Sequence, residues 1–258
     1  MDEELDEIQH LIQSGHYGDA DRRLAIALVD YPGEGRVRGL QASLSLYRWG
    51  LFGQLEGRPV DDPRLLDLRE QAQRHLDAAV ALNPDLEIEC LLTRAILEFD
   101  YDQESALALC REALDLERTA LTLGQYANCL GEARRFEESE AVFWEAAEVD
   151  QESFVNMVNF GRQMVRKEPP DLWLAAFLFT KATELTPESA EAHYRLGDCY
   201  GSIPGHLEEA KHHLTLALSL EPTERLAGKI GLALQGLSRG KGPRCKTQSA
   251  IFERRWVS

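Results

Sequence analysis

A small residue returns to the same place in a helical pattern about every 34 residues, and this recurrence limits what the chain can fold into. Ala20, Ala72, Ala106, Ser139, Ala175 and Ala210 are the anchors, at intervals of 52, 34, 33, 36 and 35. Four positions after each comes a larger or polarizable residue: Leu24, Leu76, Cys110, Phe143, Phe179 and Leu214. Three further on stands alanine every time: Ala27, Ala79, Ala113, Ala146, Ala182 and Ala217. Offsets of 0, 4 and 7 lie on one face of a helix. The small residues let a partner helix come close, and the large one fills the space between them. Five positions beyond the second alanine, Pro32, Pro84, Pro187 and Pro222 stop the helix, since proline lacks an N–H and its ring clashes inside one. Arg118 and Gln151 hold that place in the other two units. Such a period marks stacked helix–turn–helix units, each burying its apolar face on the next.

The partner helices carry a signature of their own: Leu196-Gly197 followed by Tyr200, and Phe160-Gly161 followed by Met164, with Tyr126-Ala127 and Thr93-Arg94 in the corresponding places upstream. Together these positions resemble the tetratricopeptide repeat over about residues 2–222. The resemblance implies an all-α fold, a right-handed superhelical solenoid of about six repeats with a C-terminal capping helix. Helix pairs are expected near 2–31, 35–83, 86–117, 119–149, 153–186 and 189–221. An amphipathic cap at 223–238 carries Leu226, Ile230, Leu234 and Leu237. Residues 1–238 then form the solenoid and 239–258 a separate tail. The long first interval holds an insertion at 44–63. Leu44, Leu46, Tyr47, Trp49, Leu51 and Phe52 prolong one helix, and GRPVDDP makes a loop. That apolar extension is expected to pack on the neighbouring repeats, with an outward contact surface as the alternative.

Charge is divided unevenly. Of 28 basic and 44 acidic residues, the last twenty positions hold six and one, so residues 1–238 carry a net −21 and the tail +5. An acidic body repels nucleic acid and anionic membrane and favours basic partners. The tail contains Phe252, Arg254, Arg255 and Trp256, which suit docking either on another protein or on the chain's own acidic body; a solvated tail is the simpler alternative. No apolar run reaches the length of a membrane span, and the acidic start MDEELDEIQHL is unlike a signal or transit peptide. Five cysteines, odd in number and without a CxxC pair, fit a reducing cytoplasmic setting.

No catalytic constellation is legible, so the expectation is a non-enzymatic protein without cofactor or metal. His206, His212 and His213 flank Glu209, yet the HExxH order and a third ligand are missing. GKGPR lacks the order of a phosphate loop. Function then lies in binding to a protein or peptide. In the tetratricopeptide repeat the first helices line a concave groove, and the resemblance places Gln125, Asn128, Asn159, Arg162, Tyr194, Arg195 and Asp198 on it. An asparagine amide both donates to and accepts from a peptide backbone, and arginine can hold a carboxylate by two hydrogen bonds. Asn128, Asn159 and Arg195 match three places of the carboxylate clamp of heat-shock co-chaperones, whose two lysine places are Gly124 and Glu191 here. The resemblance implies an adaptor holding an extended peptide or partner tail, in the manner of a chaperone-like holder if the client is basic. The alternative is a structural subunit docking through its convex face, the 44–63 insertion and the tail.

Overall fold

The computed structural model describes residues 1–13, 16–55 and 59–238, and the described residues are helical with no strand. They fall into two compact units, Met1–Arg118 and a second beginning at Thr119. The first holds three antiparallel pairs: α1 (Asp2–Gln13) with α2 (Tyr17–Asp30), α3 (Gly35–Leu55) with α4 (Pro63–Leu82), and α5 (Glu87–Glu98) with α6 (Gln103–Leu116). The second pairs α7 (Ala120–Glu132) with α8 (Phe136–Val149), α9 (Phe154–Arg166) with α10 (Leu172–Leu185), and α11 (Ala190–Gly201) with α12 (Leu207–Ser219). α13 (Glu224–Ser238) follows and buries Ile230 against Leu214 and Ala217 of α12.

All eighteen anchor residues are buried, none more than 3% exposed. In two of the pairs the large residue of the second helix sits on a glycine of the first. A Cβ on Gly161 would come within 2.6 Å of the Phe179 ring, and one on Gly197 within 2.8 Å of Leu214 Cγ. These two contacts explain why glycine follows the large residue in α9 and α11: the helices cross where no side chain fits. In α7 the place is taken by Ala127, and the single serine among the anchors answers it. Ser139 Oγ donates to the Ala127 carbonyl at 2.7 Å, so the buried hydroxyl is satisfied.

Helix ends follow from local chemistry. The backbone N–H of Tyr31, Asn83, Glu117, Asp150 and Thr186 closes the second helices onto Ala27, Ala79, Ala113, Ala146 and Ala182 at 2.8–3.0 Å. α6 and α8 end without proline because Glu117 and Asp150 turn extended there. α7 closes in a Schellman pattern: Arg134 N–H bonds the Gly131 carbonyl and Arg135 N–H the Leu130 carbonyl, with Arg134 at φ 61°. The long α3 uses part of its extension inward. Leu44 is buried, and Trp49 Nε1 donates to the Tyr101 hydroxyl at 3.3 Å while the Arg69 guanidinium lies 4.2 Å above the Tyr101 ring.

The glycine contacts generate a paired expectation. Gly161→Ala forces a methyl into the Phe179 ring, and overpacking of this kind costs roughly 1–3 kcal/mol. Gly228→Ala in α13 meets nothing within 4 Å, and removing a helical glycine gains ~0.5–1 kcal/mol. Urea midpoints should therefore move in opposite directions for the two variants; a fall for both would contradict the packing described.

Candidate functional site

In the second unit, each first helix offers a comparable stripe with a spacing of four, three and four residues. α7 presents Leu121, Gln125, Asn128 and Glu132; α9 presents Val155, Asn159, Arg162 and Arg166; α11 presents Glu191, Arg195, Asp198 and Ser202. None of these side chains is buried. Read across the helices, the rows change character. Leu121 and Val155 make an apolar row, 58% and 59% exposed; Gln125 and Asn159 make an amide row; charges gather towards the helix C-termini.

Two side chains of α9 stitch it to α7. Asn156 Nδ2 donates to the Ala120 carbonyl at 2.7 Å, and buried Gln163 Nε2 donates to Asn128 Oδ1 at 3.1 Å and Glu132 Oε1 at 3.2 Å. Both lie over glycines: a Cβ on Gly124 would be 1.9 Å from Asn156, and one on Gly131 would be 2.4 Å from Gln163. The step from α9 to α11 is built otherwise. Val158 and Val165 occupy the glycine places, and Ala192 and Cys199 occupy the amide places. A concavity of about 310 Å³ opens there, with Val165, Phe179 and Cys199 inside and Arg162, Arg166, Arg195, Glu132 and Asp198 on its rim.

The rim charges are largely engaged with one another. Glu132 is shared by Arg166 and Arg162, the latter at 3.7 Å. Glu191 holds Arg195 through both Nε and a terminal nitrogen, at 2.7 and 2.6 Å. Partial burial and then the neighbouring Arg195 push the Arg162 guanidinium below its ordinary pKa. The concave wall raises the Asp198 carboxyl although it still meets solvent, and Arg195 opposes that shift.

Several solved structures are similar to this chain. Human IFIT1, solved as a dimer with m7Gppp-AAAA, matches 94% of the chain and 59% of its own length at 15% identity and a TM-score of 0.64. Yeast Tom70 matches 87% of the chain and 59% of its own length at 13% identity and a TM-score of 0.56. YrrB, described as a TPR protein with an unusual peptide-binding site, matches 83% and 97% at 16% identity and a TM-score of 0.47. The chain thus spans well under two thirds of IFIT1 and Tom70. No family model and no curated protein matches the sequence. The fold is the tetratricopeptide-repeat solenoid.

On this solenoid, six of the seven residues expected on the groove lie on the stripes of α7, α9 and α11, Tyr194 being the exception. Asn128 accepts from Gln163, and Asn159 accepts from Arg162 at 3.1 Å. Because both donors are unambiguous, each amide must present its oxygen inward, which leaves its N–H groups without a partner among the described residues. Arg162 and Arg195 arrive paired, so a carboxylate ligand would have to compete with Glu132 and Glu191. Gln125 reaches Cys129 Sγ at 3.8 Å. Tyr194 is half-buried and packs its ring on the cluster of Leu214, Ala217 and Ile230, so much of it supports the cap. Phe252, Arg254, Arg255 and Trp256, expected to dock, lie outside the described residues, as do 56–58 of the insertion loop. No helix among the described residues is long and apolar enough to cross a membrane.

The histidines form a structural pair that the sequence pattern did not reveal, because the deciding member lies on α11. His193 Nε2 donates to the Pro187 carbonyl at 2.9 Å, so its Nδ1 accepts the hydrogen bond that His213 Nδ1 donates at 3.1 Å. Their rings stack at 5.4 Å. His206 contacts Glu209 instead, at 3.3 Å, and no group of three metal-ligating side chains converges among the described residues. Burial, then His193 and His212, hold the His213 pKa down to about 4 from 6.5. The unfolded chain therefore binds this proton first. Stability that is present above pH 6.5 is lost as the pH falls towards 4. Unfolding by urea at a series of pH values should show the wild type losing its advantage over His213→Gln between pH 7 and 4; a constant difference would contradict a neutral pair.

Proposed function

We propose that the chain is a non-enzymatic adaptor that holds an extended peptide, or a partner's tail, against the stripes of α7, α9 and α11. The observation that carries this reading is the pair Asn128 and Asn159. Each spends its oxygen on the scaffold and turns N–H donors towards an exposed face. An extended peptide has backbone carbonyls with no partner along its length, and fixed donors hold it whatever its side chains. The apolar row of Leu121 and Val155 runs beside these donors and offers a dry edge for the peptide's side chains. A basic partner is favoured, since the chain carries a net charge of −16 and such a field raises the rate of encounter. The same field disfavours nucleic acid.

Asn159→Asp tests the donors without removing the acceptor that Arg162 uses. Peptides selected on the immobilised wild-type chain from a displayed random library are expected to lose about tenfold or more in affinity, corresponding to about 1.4 kcal/mol, with the melting transition unchanged. Peptides that bind the variant as tightly as the wild type, or a selection yielding none, would sink the reading.

A further inference from the structure

The concavity between α9 and α11 exists because one step of the stack is built from different residues. Where α7 offers Gly124 and Gly131, α9 offers Val158 and Val165; where α9 sends Asn156 and Gln163 across, α11 sends only Ala192 and Cys199. Val158 and Ala192 close their part of the step in an apolar cluster with Met157 and Ala182, whereas Val165 and Cys199 line the slot. The slot is therefore written into two positions, in contrast with the filled step beside it.

Its charges decide what it can take. Around it stand Arg162, Arg166 and Arg195 against Glu132, Glu191 and Asp198, so the count is balanced. A carboxylate entering would leave a net negative charge in a half-enclosed site and would compete with Glu132 and Glu191 for guanidiniums they already hold. An ammonium would leave a net positive charge there. A neutral group disturbs neither set. Glu191 holds the edge of Arg195 and Glu132 that of Arg166, while Arg162 donates to Asn159 at 3.1 Å with Glu132 3.7 Å away; the planar faces of the guanidiniums suit an aromatic ring. A cavity of about 150 Å³ accommodates benzene, and this one measures about 310 Å³, with Val165, Phe179 and Cys199 among its charged lining. We infer that the slot is the anchor pocket of the groove and takes an aromatic side chain of the bound peptide, seated between Val165 and the faces of Arg162 and Arg195. The inference rests on the peptide reading given above.

The test uses N-acetyl-L-tryptophanamide as a neutral aromatic probe on the full chain, followed by NMR shifts of Val165 and Cys199. N-acetyl-L-leucinamide and sodium acetate are the controls. Saturable shifts with the tryptophan amide are expected, at least fivefold weaker with the leucine amide and absent with acetate. Val165→Gly with Cys199→Gln rebuilds the Gly131–Gln163 stitch across this step and should abolish them. Val165→Gln should weaken them too, at a wall position 38% exposed where folding is not at stake. No saturable shift with the aromatic probe, acetate shifting the same signals, equal response to both amides, or shifts that survive Val165→Gln would each overturn the pocket. If selected peptides depend on Asn159 while the probe fails, only the anchor falls. If the probe binds and no peptide does, the peptide reading falls and the slot remains.

Discussion

The last two helix pairs depend on one contact, in which the large residue of the second helix presses on a backbone stripped of its side chain. The contacts are Phe179 over Gly161 and Leu214 over Gly197. Such a contact fixes three things together. It sets how near two helices lie, it fixes their register, and it forces the residues three and four positions away to be small so the backbones can follow. Dispersion between closely packed atoms falls off within a fraction of an ångström, so the helix pairs tolerate little variation here. Phe160 then extends the contact, stacking on Phe143 at 4.9 Å and meeting Trp144 edge-on. The core of the second unit thus passes from one repeat to the next through aromatic rings.

What the pairs leave free is the step between successive first helices. There the constraint is weaker, and the two steps in the second unit are solved differently. Between α7 and α9, long amides lie over glycines and bond to backbone and side chains. Between α9 and α11, Val165 and a thiol leave room. Burial pushes the Cys199 thiol up to about 12, and it donates to the Leu172 carbonyl, so it acts as a small wall residue and not as a nucleophile. The same repeat can in this way carry a sealed wall and an open slot side by side, with no change in the helix pairs behind them.

This division explains what the sequence disclosed. The anchors were legible because each is set by its own repeat: small, large and small at 0, 4 and 7 needs no knowledge of neighbours. Proline added little, since α6 and α8 stop equally well at extended residues. The slot was not legible, because it follows from pairs of residues 32 to 34 apart, and neither Val165 nor Cys199 is unusual alone. Comparing Gly131 with Val165 and Gln163 with Cys199, position by position, was the signal that could have found it. The rim arginines were legible as residues but not as partners. The pairing of Arg195 with Glu191 follows helical spacing, whereas Glu132 reaches Arg166 across two helices. His193 was missed for a similar reason: its partner His213 lies on another helix, twenty residues away.

The pairing of the rim charges bears on how the acidic body and the proposed groove would divide their work. A net charge of −16 acts on an approaching partner over a distance of about 8 Å at physiological salt, beyond which it is screened. Near contact, the balanced set around the slot contributes little net field, and what discriminates there is shape, apolar area and N–H donors. On the proposed peptide reading, charge governs how often a partner arrives, and the amide row with the slot governs how long it stays. Salt should weaken the first far more than the second. A groove with unpaired arginines would tie both to the same ions and lose its hold on a peptide as the salt rose.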